Sequence, residues 1–128
     1  MGKILIIDDS LVMRNIHKNA LKDHGFDNDT VLEAGNGFEA LECLRANEVD
    51  LIIVDWNMPY LDGLSFVKQV RAEERWKRLP ILMVTSEAAR ENVLEAVKAG
   101  VNNYVVKPIT GEKLWAKIEP HLQPGTRD

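Results

Sequence analysis

The chain has one cysteine, Cys43, so it cannot close an internal disulfide, and its leucine neighbours at 41 and 44 suit a small buried hydrophobe. It has no cluster of lysine and arginine. Sixteen basic against twenty acidic side chains leave a net charge of -4, which favours neither nucleic acid nor an anionic membrane surface as partner. It has no leader-like or membrane-spanning run either: MGKILIIDDS offers four apolar residues before two aspartates, and a cytoplasmic location follows. The histidines His17, His24 and His121 show no metal-ligand spacing and read as surface residues. Neither internal repeat nor low-complexity segment is visible. A length of 128 residues suits one domain, without room for a separate output domain.

What is present is a set of short apolar runs. Leu51 to Val54 is uniformly apolar and ends at Asp55, with Asn57, Pro59 and Gly63 behind it, the pattern of a strand buried on both faces and followed by a turn. Ile4 to Ile7, Ile81 to Val84 and Tyr104 to Val106 repeat it, and Thr30 to Ala34 is a weaker fifth. Between them, apolar spacings of three and four mark amphipathic helices: Met13, Ile16 and Ala20; Leu64, Val67 and Val70 with Arg71; Val93, Ala96, Val97 and Ala99. Five alternations of strand and helix predict a doubly wound α/β fold, a five-stranded parallel sheet with five helices on its two faces. Ser10 caps the first helix, Thr110 with Lys113 starts the last, and Gly25 and Gly100 take left-handed positions after helices. Pro120 should end or kink the last helix near Glu119. Trp76 and Trp115 read as partly buried packing residues. Residues 1–122 form the expected domain, and 123–128 a flexible tail.

The strand ends carry the chemistry. Asp8 and Asp9 follow the first strand, Asp55 ends the third, Thr85 the fourth, and Lys107-Pro108 follows the fifth. In a parallel sheet these meet at the carboxyl edge, where open α/β sheets bind ligands. Crowded carboxylates call for a hard divalent cation, and Mg²⁺ suits oxygen donors. A carboxylate beside such an ion, with a hydroxyl and an ammonium, is equipped for phosphoryl transfer. Asp55 is the candidate nucleophile. Asp8, Asp9, Asp55 and the Asn57 main-chain carbonyl would hold the metal, while Thr85 and Lys107 would meet phosphoryl oxygens.

The set Asp8-Asp9, Asp55, Thr85 and Lys107-Pro108 resembles the receiver domain of two-component response regulators, over about Lys3 to Leu122. DWNMPYLDGL (55–64), MVTSEAARENV (83–93) and AGVNNYVVKPIT (99–110) resemble its chemotaxis, CheY-like branch. The resemblance implies the flavodoxin-like strand order 2-1-3-4-5, Mg²⁺ dependence, phosphorylation of Asp55 by a sensor histidine kinase, and a cis peptide between Lys107 and Pro108. It also implies a switch formed by Thr85 and Tyr104, and a phosphate lifetime set by Asn57 and Glu87. A partner surface follows from it as well, with Arg90, Val93, Tyr104, Val106 and Lys117 facing a downstream target such as the flagellar motor switch protein. The expected molecule is a monomer whose own catalysis is limited to its phosphotransfer and autodephosphorylation. The chain departs from that branch in two extra residues near Asn28 to Thr30, in Ile109 where phenylalanine is usual, and in Pro120. Another role open to the same fold is a phosphorelay shuttle or a regulator of another kinase or enzyme unrelated to motility. An aspartate phosphatase of the haloacid dehalogenase type is disfavoured, because Asn57 cannot act as the second acid. A flavin mononucleotide carrier is disfavoured because Asp8 and Asp9 would repel its phosphate.

Overall fold

Strands and helices alternate as the apolar runs require. In the computed structural model, which describes residues 2–27, 29–86 and 90–121, β1 (Lys3–Ile7), β2 (Val31–Ala34), β3 (Val49–Asp55), β4 (Ile81–Thr85) and β5 (Asn103–Val106) form one sheet. The order is β2-β1-β3-β4-β5 and every pairing is parallel. The helices are α1 (Leu11–Lys22), α2 (Gly37–Ala46), α3 (Gly63–Ala72), α4 (Arg90–Ala99) and α5 (Gly111–Ile118). Alternate strand residues feed two cores. Leu5, Ile7, Ile52, Val54 and Met83 pack with Leu41, Phe66, Val67 and Ala96 on one face; Ile4, Ile6, Leu51, Ile53 and Val84 pack with Leu21, Leu114 and Ile118 on the other. Double-sided burial is why these strands lack a polar face.

The helices start where the sequence places caps. Ser10 Oγ accepts the Met13 N–H at 3.2 Å, Asp62 Oδ1 that of Ser65 at 2.8 Å, and Thr110 Oγ1 that of Lys113 at 3.1 Å. Gly25 and Gly100 have φ of +94° and +115°, conformations glycine adopts without a Cβ penalty. The helix α5 ends at Ile118, and Glu119–His121 continues as a 3₁₀ turn containing Pro120, as the missing donor dictates. A further 3₁₀ turn, Glu74–Trp76, precedes β4 and buries Trp76, while Trp115 is half-buried. Cys43 is half-buried against the first core. Residues 123–128, expected as a tail, lie outside the described residues.

Two helix faces differ from the expected ones. The buried side of α1 is His17, Ala20 and Leu21, so His17 is not a surface residue: it is 1% exposed and neither ring nitrogen has a hydrogen-bond partner among the described residues, whereas Ile16 is 37% exposed. One residue is a 100° turn, and with polar Arg14, Asn15, Lys18 and Asn19 interrupting the apolar residues, docking against α5 centres the buried face on His17, Ala20 and Leu21 and not on Met13, Ile16 and Ala20. On α4, Ala96 is buried but Val97 and Leu94 point outward. His24 is exposed and stacks on Trp115 with centroids 4.0 Å apart, and His121 is half-buried. Among the described residues no helix is long and apolar enough to cross a membrane.

Candidate functional site at the carboxyl edge

Three registers assemble the site. Ile7 pairs with Val54, which sets Asp8 beside Asp55; Asp55 pairs with Val84, one residue before Thr85; Thr85 pairs with Val106, one residue before Lys107. The loops are fixed by main-chain bonds, Trp56 N–H to the Val84 carbonyl at 2.9 Å and Lys107 N–H to the Thr85 carbonyl at 2.8 Å. The Lys107-Pro108 peptide is cis. Behind Asp55 the chain returns as a tight turn. The Leu61 N–H donates to the Pro59 carbonyl at 2.8 Å across Tyr60, whose φ is +70°. This is a γ-turn of the strained hand, and its central residue is 85% exposed. Gly63 then passes so close that a Cβ would collide with the Asp55 carbonyl oxygen and lie 2.9 Å from Trp56 Cα.

One oxygen each from Asp8, Asp9 and Asp55 lies within 4.8 Å of the others. Unit charges at such separations repel by about 3–4 kcal/mol per pair at an effective dielectric near 20. The strain shows in the acids. Burial pushes the Asp8 carboxyl from 3.8 up to about 6, with Asp55 and Asp9 adding and the Ser10 N–H and Lys107 opposing. Burial also raises Asp55, against the Lys107 ammonium and the Asn57 N–H. Lys107 Nζ stands 3.4 Å from Asp55 Oδ1, an ion pair too long for a strong hydrogen bond. The buried Asp8 Oδ2 accepts no hydrogen bond from the described residues. Hard, crowded, partly unsatisfied oxygen donors fit Mg²⁺ or a similar ion, which would supply the missing countercharge.

Thr85 is buried at the end of β4, and Asn57 is exposed. Tyr104, Val106 and Val93 are half-buried, and Lys117 Nζ sits 5.6 Å from the centre of the Tyr104 ring. Glu87 and the Arg90 side chain lie outside the described residues. Sequence reasoning did not single out Arg14, whose Nη1 donates to the Asp8 carbonyl at 2.6 Å, nor the exposed Leu94 and Val97 beside Val93. Only the excess of apolar positions on α4 hinted at the latter.

This edge, on a five-stranded sheet of this order, defines a receiver. Residues 4–119 match the response regulator receiver domain, and the chain belongs to that family. The chemotaxis protein CheY of Pseudomonas aeruginosa is 51% identical over 117 residues, covering 91% of this chain and 93% of the relative. Chemotaxis protein CheY1 of Helicobacter pylori is 50% identical over 127 residues, covering 98% and 99%. Among solved structures, Vibrio cholerae chemotaxis protein CheY4 superposes with a TM-score of 0.87 at 37% identity, covering 95% of this chain and 99% of the other.

Proposed function

We propose that this receiver is a cytoplasmic chemotaxis response regulator in which Asp55 takes a phosphoryl group from the phosphohistidine of a sensor kinase. The observation that carries the reading is the meeting of Asp8, Asp9 and Asp55 within 4.8 Å, with Lys107 3.4 Å from Asp55. An Asp55 carboxylate oxygen attacks phosphorus as the P–N bond breaks, and the electron pair returns to the donor imidazole. Lys107 and the Thr85 hydroxyl meet the charge on the equatorial oxygens, alignment and neutralisation being most of what the transfer needs. Asp8, Asp9, Asp55 and the Asn57 carbonyl would hold Mg²⁺, which when bound supplies electrostatic stabilisation of the same oxygens. Hydrolysis reverses the bond order: water attacks phosphorus and Asp55 leaves, with Asn57 and Glu87 governing access of that water and keeping the signal short-lived.

The new dianion draws the Thr85 hydroxyl toward it, and Tyr104 turns into the space vacated. Arg90, Val93, Tyr104, Val106 and Lys117 form the surface that reads the change, and the exposed Leu94 and Val97 enlarge it. The names of the relatives support a chemotaxis role, and the flagellar switch is the target proposed for that role. Acetyl phosphate and Mg²⁺ should add one phosphoryl group by mass spectrometry, and Asp55→Asn should abolish it. A cell carrying Asp55→Asn should lose directional switching; normal chemotaxis in that cell would remove the chemotaxis role, and a phosphoryl group persisting for hours would remove the short lifetime.

A further inference from the structure

Asp8 is fastened at three points. Its N–H donates to the Ala34 carbonyl at 3.1 Å, its Oδ1 accepts the Ser10 N–H at 2.9 Å, and its carbonyl accepts from Arg14 Nη1 at 2.6 Å. The last fastening is itself held. Arg14 Nε donates to Glu33 Oε1 at 2.9 Å, and Lys18 Nζ takes the other oxygen, Glu33 Oε2, at 2.9 Å. Burial alone would raise the Glu33 carboxyl, but the bonds from Lys18 and Arg14 outweigh it and hold the group below its ordinary value. Glu33 is on β2 in register with Ile6, and Arg14 and Lys18 are one helical turn apart on α1, so the relay joins two elements to the loop carrying Asp8.

We propose that Arg14 and Glu33 are positioning residues that set the affinity of the acidic edge for its divalent cation; the inference rests on the reading of that edge given above. The planar guanidinium binds the Asp8 carbonyl with one nitrogen and Glu33 with another, a geometry that a lysine ammonium does not reproduce. With the main chain locked and Oδ1 occupied by Ser10, the Asp8 carboxylate is held with Oδ2 free of any hydrogen bond from the described residues. Loosening the lock lets a buried, repelled carboxylate turn from its neighbours, and the ion must then recover that order when it binds.

Charge offers a competing account, since Glu33→Gln also leaves Arg14 and Lys18 uncompensated near the site. Repulsion of that kind is screened, over about 10 Å at 0.1 M salt and about 3 Å at 1 M, whereas loss of geometry is not. The test is Mg²⁺ titration of the full chain at both salt levels, for wild type, Arg14→Lys, Glu33→Gln and the double variant. It is followed by calorimetry and by tryptophan fluorescence, Trp56 being next to Asp55. Each single variant should raise the dissociation constant about 3- to 10-fold relative to wild type at both salt levels. That lies at or below the low end for groups that orient a metal ligand, because this pair is partly exposed. The double variant should match the worse single one, as members of one relay do. Unchanged constants beside a responsive wild type overturn the relay alone. So does a loss that vanishes at high salt, or a lower melting temperature in chelator with the Mg²⁺ affinity intact. A wild type blind to Mg²⁺ overturns the reading of the edge as well.

Discussion

Replacing Asp8 by asparagine tests how much the crowded edge burdens the fold. Burial lifts the Asp8 carboxyl from 3.8 to about 6. Between about pH 4 and 6 the folded chain therefore keeps a proton that the unfolded chain has lost, and stability from this group falls as pH rises through that window. At about 1.4 kcal/mol per unit, holding Asp8 ionised at neutral pH costs the metal-free fold about 3 kcal/mol. Asn keeps an oxygen for the Ser10 N–H and turns a donor, not a charge, toward Asp9 and Asp55. In chelator near pH 7.5 the variant should melt about 10 °C above wild type for a domain of this size. The gap should close on acidification below about pH 4, where both side chains are neutral. His17 has the opposite slope. Burial, with Lys107 adding, pushes its imidazole from 6.5 down to about 4, so stability falls as pH drops across that range. In wild type the two slopes oppose each other, and Asp8→Asn should expose the His17 slope in urea or thermal melts across the pH range. A variant that melts below wild type in chelator at neutral pH, or a gap indifferent to pH, would refute the account of repelled, buried carboxylates.

His17→Leu removes two buried ring nitrogens without partners among the described residues, so it should add about 1–2 kcal/mol at neutral pH in denaturant titrations, and more near pH 5. A loss there would mean that the imidazole is bonded. Tyr60→Gly should stabilise by about 0.5–1 kcal/mol, because relief of a left-handed tyrosine exceeds the entropy that glycine adds; the ring, 85% exposed, gives up little packing. Destabilisation would show the ring to be anchored. Gly63→Ala forces a Cβ against the Asp55 main chain, so it should cost about 2–3 kcal/mol and slow phosphorylation of Asp55 by acetyl phosphate. Normal kinetics would show that the turn yields without moving Asp55.

What the sequence made legible is what depends on local pattern. Uniform branched runs give central strands, and polar residues at their ends give the carboxyl edge, so Asp8, Asp9, Asp55, Thr85 and Lys107 could be grouped before any contact was known. Contacts between elements distant in the chain left no such trace. Arg14 and Glu33 are nineteen residues apart and each reads as an ordinary surface charge, yet together they hold the Asp8 main chain. The burial of His17 was invisible because Met13, Ile16 and Ala20 offer an equally regular apolar spacing one step round α1, and a histidine reads as polar wherever it falls. In the turn at 57–63, Asn57, Asp62 and Gly63 are the residues that tolerate a positive φ, but it is Tyr60 that adopts one.

The legible and the hidden parts meet in the sheet. Because side chains alternate along a strand, slipping one strand by a residue would carry Asp55 about 3.3 Å along and turn it to the other face. The site exists only while the β1–β3, β3–β4 and β4–β5 registers hold together. The same slip of β3 would move Leu51, Ile52, Ile53 and Val54, all fully buried, out of their pockets. Each of those side chains contributes about 1.5–3 kcal/mol on burial. Against that, the roughly 3 kcal/mol penalty of ionised Asp8 is the smaller quantity. Repulsion among the acids therefore cannot relax by shifting strands, and must be answered by a proton, a cation or a substrate that brings one.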